Sequence, residues 1–327
     1  MKAWLLDSFS GIESLRLAET PAPIAAEGEV LVEVRFAALN PADRYLAEKQ
    51  YPAKPPLPHI LGRDGLGIVR GIGQKVSGFQ VGQECIILRS EIGVNRAGTF
   101  AQFVTVPAES LAAVPDDWSA TQAAGAALVY LTAYQALTQW TDLPAGIILI
   151  TGASGGVGIA SIQLARALGH TVVALSRSPA KRIDLQKLGA QYTFDPAEAD
   201  WIKDLKSTIA PNRVDLAIDN IGGQLLPQVI QTLGDHGKVS LVGQLAGAVP
   251  QFNTATLFSR RLRLGGVAVG AYTPAETADA WRAVVGLLAR VNAKPVVDRI
   301  FDFEQLPDAF GRLAQGPLGK VLLRVRG

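Results

Sequence analysis

The stretch Thr151-Gly152-Ala153-Ser154-Gly155-Gly156-Val157-Gly158 stands between two apolar runs of different periodicity. Before it, Gly146-Ile147-Ile148-Leu149-Ile150-Thr151 is continuously apolar, the pattern of a strand buried on both faces of a parallel sheet. After it, Ile159, Ile162, Ala165 and Leu168 recur at helical spacing, and Gly169 is a helix stop. A strand, a glycine turn and a helix start bring free backbone N–H groups to the positive end of the helix dipole, where a pyrophosphate is held. Aligned on G-x-G-x-x-G, Ala153 takes the first position, Gly155 the second and Gly158 the third; Ser154, Gly156 and Val157 complete the loop. Gly155 would let the backbone approach phosphates, and Gly158 would let helix and strand pack closely. Glycine turns also arise for steric reasons alone, but the strand–turn–helix context favours dinucleotide binding. No Gly-Lys-Ser/Thr follows, which argues against a nucleotide triphosphatase.

The surrounding chain extends the pattern from about Ser119. Thr121 to Gln139 reads as an Ala-rich helix. Strand 171–175, helix 179–189, an irregular 190–198, helix 199–210, strand 214–218, helix 223–233, strand 237–242 and strand 262–269 follow. Strands alternating with helices predict an α/β fold, a doubly wound parallel sheet. Helix 275–291 and strand-like segments 296–301 and 319–325 close the chain. Residues 1–118 differ. There Val30, Val32, Val34 and Phe36 alternate with mostly polar neighbours, and short β-type segments recur between Gly and Pro, predicting a β-rich barrel or sandwich.

The second strand, Thr171 to Leu175, runs into Ser176-Arg177-Ser178, with Lys181-Arg182 close behind. Ser176 lies 23 positions after Ala153 (176 − 153), near the place where an NAD enzyme sets Asp or Glu on the ribose 2′-OH. No acid stands there. A serine hydroxyl and a guanidinium would accept a 2′-phosphate instead, a charge-assisted contact of about 1.5–3 kcal/mol. The expected cofactor is NADP(H), read by Ser176 and Arg177, with either Lys181 or Arg182 assisting.

Composition narrows the remaining chemistry. In 327 residues there is one cysteine, Cys85, and there are three histidines, His59, His170 and His236. A disulfide framework and a four-cysteine zinc site are excluded. Cys85 sits mid-strand and reads as a buried structural thiol, and His59 as a surface or supporting residue. Lys+Arg is 31 against Asp+Glu 29, a net charge of +2, which gives no electrostatic reason for nucleic acid or an acidic membrane as partner. No apolar run reaches the ~20 residues of a membrane span, and the N-terminus has no signal-peptide pattern. A cytoplasmic protein is expected.

Several further segments carry a family resemblance over nearly the whole length. They are Gly28-Glu29-Val30-Leu31-Val32, Asn40-Pro41-Ala42-Asp43-Arg44-Tyr45 followed by Tyr51-Pro52, Gly62-Arg63-Asp64-Gly65-Leu66-Gly67-Ile68-Val69, and Gly98-Thr99-Phe100-Ala101-Gln102-Phe103. With the cofactor loop, they resemble the zinc-independent quinone oxidoreductase group, zeta-crystallin-like, of the medium-chain dehydrogenases/reductases. The resemblance implies a GroES-like catalytic domain (1–118 and 292–327) interrupted by a Rossmann domain (119–291). Zinc relatives carry a cysteine near Asn40 and Gly-His-Glu at Gly62-Arg63-Asp64; both are replaced here, and the region of their structural zinc lobe, Ser90 to Thr99, has no cysteine. No metal is expected.

The resemblance further implies hydride transfer from NADPH to a quinone or to the double bond of an α,β-unsaturated carbonyl. The charge that develops on the substrate oxygen then needs donors or a proton. Asn40 and Tyr45 match positions near the nicotinamide, with turn and packing roles as the alternatives, and Tyr51 would line the substrate mouth. Asp43 and Asp64 would organise the loop. Thr132, Asn220, Val242, Gly243, Gln244, Val267 and Val269 match cofactor-contacting positions. Phe258 to Arg263 reads as a loop cation cluster, with contact to cofactor phosphates as the minor alternative. Phe194-Asp195-Pro196 departs from the family at the adenosine. A homodimer through the strand 262–269 is implied. A zinc-free alcohol dehydrogenase and a non-catalytic, crystallin-like or regulatory NADPH-binding protein are the alternatives.

Overall fold

The computed structural model describes residues 1–88, 91–141, 143–248 and 250–326. Ser90, where the expected lobe region begins, lies outside the described residues. The chain divides into two units: Met1–Leu128 with Gly270–Arg282 and Lys294–Gly327, and Val129–Val269 with Ala283–Ala293. The division falls at Leu128, beyond the change of pattern at Ser119.

The first unit begins with eight strands: β1 (Lys2–Leu6), β2 (Leu15–Glu19), β3 (Glu29–Ala38), β4 (His59–Ile60), β5 (Gly65–Ile72), β6 (Glu84–Ile87), β7 (Phe103–Pro107) and β8 (Leu111–Ala113). The long strand β3 is central because its alternating Val30, Val32, Val34 and Phe36 are all buried. It pairs antiparallel with both β5 and β7. Cys85 is buried on β6, and burial, then the charge of Glu84, pushes its thiol up to about 12. His59 is buried as well, because β4 pairs with β1 opposite Leu6; of the two readings, surface or supporting, burial removes the surface one.

Helix α1 (Pro41–Ala47) follows β3 directly. The expected single helix 121–139 is two, α2 (Ala120–Ala124) and α3 (Ala127–Thr138), interrupted at Gly125. A side chain at Gly125 would come within 3.2 Å of the Lys320 stem.

The second unit alternates as expected: β9 (Ile147–Ile150), α4 (Gly156–Ala167), β10 (Thr171–Leu175), α5 (Pro179–Lys187), β11 (Tyr192–Phe194), α6 (Trp201–Ile209), β12 (Val214–Asp219), α7 (Leu225–Thr232), β13 (Leu233–Leu241), α8 (Ala255–Ser259) and β14 (Arg263–Gly266). The sheet order is β11-β10-β9-β12-β13-β14 and every pairing is parallel. That is the doubly wound order 3-2-1-4-5-6. All four residues of β9 are buried, each side chain contributing about 1.5–3 kcal/mol.

Two expectations need correction here. The irregular 190–198 contains the edge strand β11. The strand expected over 262–269 ends at Gly266; Gly265-Gly266 breaks the alternation, so Val267 lies past the strand and Val269 opens a short 3₁₀ turn. The chain then passes through α9 (Pro274–Arg290) and returns to the first unit with β15 (Val297–Asp302), α10 (Leu306–Ala314) and β16 (Lys320–Arg324). β16 pairs with β3, and Phe303, Leu306, Phe310, Val321 and Leu323 join that unit's core. The architecture is α/β, a GroES-like β-rich unit and a Rossmann sheet.

Candidate active site

In the second unit the glycine turn leaves the carboxyl end of β9 and α4 starts at Gly156, with Gly155 as its cap and no side-chain capping bond. Gly155 N–H donates to the Gly152 carbonyl at 3.0 Å, and the Ile159 N–H donates to Gly155. The N–H groups of Gly156, Val157 and Gly158 donate to no backbone acceptor among the described residues. The two key glycines have different reasons. A Cβ on Gly158 would fall 2.5 Å from the Gly152 oxygen and 2.6 Å from Ala153, so close packing demands glycine. A Cβ on Gly155 would meet nothing nearer than 3.4 Å. Its lack of a side chain answers no need of the protein's own packing and leaves the backbone open to a ligand. Ala153 is buried against the turn, and Ser154 is half-buried.

The neighbouring strand ends converge on this turn. Asp219, at the end of β12, accepts the Thr151 hydroxyl at 2.7 Å and the Gly222 N–H at 3.0 Å. Asn220 Nδ2 donates to the Thr151 carbonyl at 2.8 Å, while its buried Oδ1 has no partner among the described residues. That open acceptor suits a hydroxyl donor such as a ribose. Val242 and Gly243 donate to the Asp219 carbonyl at 2.9 and 3.3 Å, which fixes the segment through Gln244 beside β12. Val267 N–H donates to Leu241 at 3.0 Å. Thr132 is half-buried on α3, and Val269 stands in the turn beyond β14.

Ser176, Arg177 and Lys181 lie at the carboxyl end of β10 and the start of α5. Ser176 is buried, and its N–H donates to Phe194 on β11 at 3.0 Å. Arg177 is exposed and forms no ion pair among the described residues. Arg182 is committed: its Nη1 donates to the Ser176 carbonyl at 2.8 Å and to Asp195 at 3.1 Å. Arg182 therefore braces the loop, and Lys181 stands half-buried in the first turn of α5. Arg260, in the expected cation cluster, donates to the Leu233 and Ile230 carbonyls at 2.7 and 3.0 Å. This holds it at the amino end of β13, away from the glycine turn, so contact with cofactor phosphates is ruled out for it.

The first unit carries the other candidates. Asn40 caps α1. Asp43, one turn in, reaches back to accept the Asn40 N–H at 2.9 Å, so the Asn40-Pro41 turn is in fact a helix start. Asn40 Nδ2 donates to Ala38 at 3.2 Å, and its Oδ1 accepts from Lys320 Nζ at 2.7 Å. One amide hydrogen remains for a ligand. Tyr45 is half-buried on α1, and burial pushes its phenol up.

Beneath these lies a buried quartet. Lys320 Nζ also donates to Leu39 at 2.9 Å and pairs with Asp64 at 3.3 Å. Arg63 Nε donates to Asp43 at 3.3 Å, and its Nη1 to the Tyr51 hydroxyl at 3.3 Å. The guanidinium sits 4.7 Å from the centre of the Tyr51 ring. Two acids and two bases balance. Burial pushes Asp43 up against the pull of Arg63, pushes Asp64 up against that of Lys320, and pushes Lys320 down. Asp43 and Asp64 thus organise the loop. Sequence reasoning passed over Arg63 and Lys320 as working residues. The available signal was a cation opening the apolar run Val321-Leu322-Leu323. Among the described residues no group of three or more His, Cys, Asp or Glu could hold a metal ion.

Comparison with known proteins agrees with this layout. Residues 26–116 match the alcohol dehydrogenase GroES-like domain, and residues 156–290 match the zinc-binding dehydrogenase family. The rat synaptic vesicle membrane protein VAT-1 homolog is 30% identical over 99% of this chain and 84% of its own. Human quinone oxidoreductase is 27% identical over 99% of this chain and 97% of its own. A solved NAD-dependent alcohol dehydrogenase has a TM-score of 0.91 at 28% identity, over 100% of both chains. Escherichia coli quinone oxidoreductase complexed with NADPH has a TM-score of 0.89 at 25% identity, over 99% of this chain and 100% of that one.

Proposed function

The chain belongs to the medium-chain dehydrogenase/reductase superfamily, close to its zinc-independent quinone oxidoreductase group, and on that footing we propose that it transfers hydride from NADPH to a quinone or to the double bond of an α,β-unsaturated carbonyl. The observation that carries the cofactor is Arg177: an exposed guanidinium, without an ion pair among the described residues, after a strand whose end carries no acid. NADPH, when bound, supplies the hydride. The N–H groups of Gly156 to Gly158 would hold its pyrophosphate, and Ser176, Arg177 and Lys181 its 2′-phosphate. Thr132, Asn220, Val242 to Gln244, Val267 and Val269 would line the rest of its path.

The residues where zinc relatives carry their ligands do not suit a metal, since no cysteine stands near Asn40 and Arg63 stands in place of the histidine. Their place is taken by fixed donors. Tyr51 Oη accepts a bond from Arg63, so its own hydrogen is left to donate to a substrate oxygen as charge develops there. The remaining Asn40 amide hydrogen and the Tyr45 phenol are the further donors. A likeness to quinone oxidoreductases supports this substrate class.

The test is a fluorescence titration of NADPH and NADH on wild type and Arg177→Ala, followed by turnover on quinones and enones. NADPH affinity should fall about ten- to a hundredfold in the variant, with NADH little changed. Equal affinity for the two cofactors in wild type would overturn the 2′-phosphate reading, and no turnover on either substrate class would overturn the reductase. A second copy pairing along the sheet edge at β14 is the proposed assembly, because an unpaired edge strand invites one. Light scattering separates dimer from monomer.

A further inference from the structure

The amino edge of the Rossmann sheet holds a feature that the hydride chemistry does not use. A cavity of about 240 Å³ is lined by Lys206, Arg213, Gln231, Gly234, Asp235 and Arg260. Lys206 stands on the last turn of α6, Arg213 just before β12, Gly234 and Asp235 at the start of β13, and Arg260 just before β14. These are the amino ends of three parallel strands, whereas the glycine turn sits at the carboxyl end of β9.

Three cations therefore share one small concavity. Arg260 is partly answered by the two carbonyls it binds at the end of α7, where the helix dipole is negative. Among the described residues Arg213 donates only to its neighbour Asn212, at 2.8 Å. Lys206 forms no ion pair among the described residues. Burial, then the charges of Arg213 and Arg260, pushes its amine down, and no carboxylate acts against them. Asp235 is exposed and pairs with none of the three. A folded protein gathers like charges this way at a cost, and an anion removes that cost.

We propose that this cavity is a binding site for a phosphate dianion, separate from the cofactor site. The charge fits: among the described residues Lys206 and Arg213 form no ion pair, and phosphate offers oxygens to several donors at once. The size fits as well, since the cavity falls below the ~300–1,000 Å³ of pockets that enclose drug-sized ligands. Free phosphate and the phosphate of a small phosphomonoester share this chemistry.

The experiment is calorimetric titration of the full chain with inorganic phosphate, and separately with phenyl phosphate, at constant ionic strength. Saturable binding with a Kd on the order of 1 mM is expected. Lys206→Ala and Arg213→Ala should each weaken it about tenfold, and Arg177→Ala should leave it unchanged. Tighter phenyl phosphate binding would assign the site to a phosphorylated metabolite, and tighter inorganic phosphate to the free ion. In phosphate-free buffer, Lys206→Gln should raise Tm, because it relieves the repulsion. NADPH titration of each variant confirms that it is folded. Three results would overturn the proposal: no saturation by either ligand, binding that survives both alanine variants, or binding lost in Arg177→Ala, which would place the anion in the 2′-phosphate site.

Discussion

Tyr51 and Arg63 lie twelve positions apart, and each gives the other its meaning. Arg63 fixes the phenol by one hydrogen bond and by stacking over its ring, a contact of about 0.5–2 kcal/mol. Tyr51→Phe keeps the ring and the stacking but removes the donor. It should lower kcat on a quinone or enone by about tenfold or more while leaving NADPH affinity unchanged; stopped-flow hydride transfer alongside NADPH titration checks both. Arg63 is a poor probe of the same idea. Its removal leaves Asp43 buried without its cation, at a cost of about 3–5 kcal/mol.

At the scale of elements, the strand–turn–helix of β9 and α4 separates packing from binding within three residues. Gly158→Ala drives a methyl into the turn and should destabilise the fold by about 1–3 kcal/mol, with a lower Tm. Gly155→Ala has room, so Tm should hold while the NADPH Kd rises. Equal Tm losses in the two variants would contradict the assignment. This half of the site was legible in the sequence because its residues are contiguous and each strand end follows its own motif. Other elements were not. β11 is three residues long and offers no periodicity to detect. The helical run 121–139 hides its break because alanine suits either side of Gly125. α1 went unseen since Asn-Pro reads equally as a turn, and only the return bond from Asp43 makes it a cap.

At the scale of the molecule, the quartet of the first unit joins residues 40–64 to Lys320. Its lysine and the Leu39 carbonyl it binds are 281 positions apart. No local pattern announces such a contact, which is why Lys320 went unread while the glycine turn did not. Two histidines should each withdraw stability in acid, in the opposite sense to the raised carboxyls of Asp43 and Asp64. Burial holds His59 and His170 below their ordinary value. Below about pH 6.5 the unfolded chain takes up protons that the folded one refuses, so stability is complete above that pH and falls as pH drops toward the lowered folded values. Urea unfolding at pH 7.5 and 5.5 should show this loss, and His59→Gln should reduce it.

The Lys320 contact also bears on synthesis. A ribosome makes Asn40, Asp43, Arg63 and Asp64 early, then the entire Rossmann sheet, and only afterwards the strand that neutralises Asp64 and anchors the Asn40 cap. The parallel sheet can settle as its strands emerge, whereas the first unit must wait, with Asp64 unanswered, for its last strand. A nascent chain halted short of residue 320 would thus carry a finished Rossmann sheet and a first unit whose buried acid still lacks its lysine.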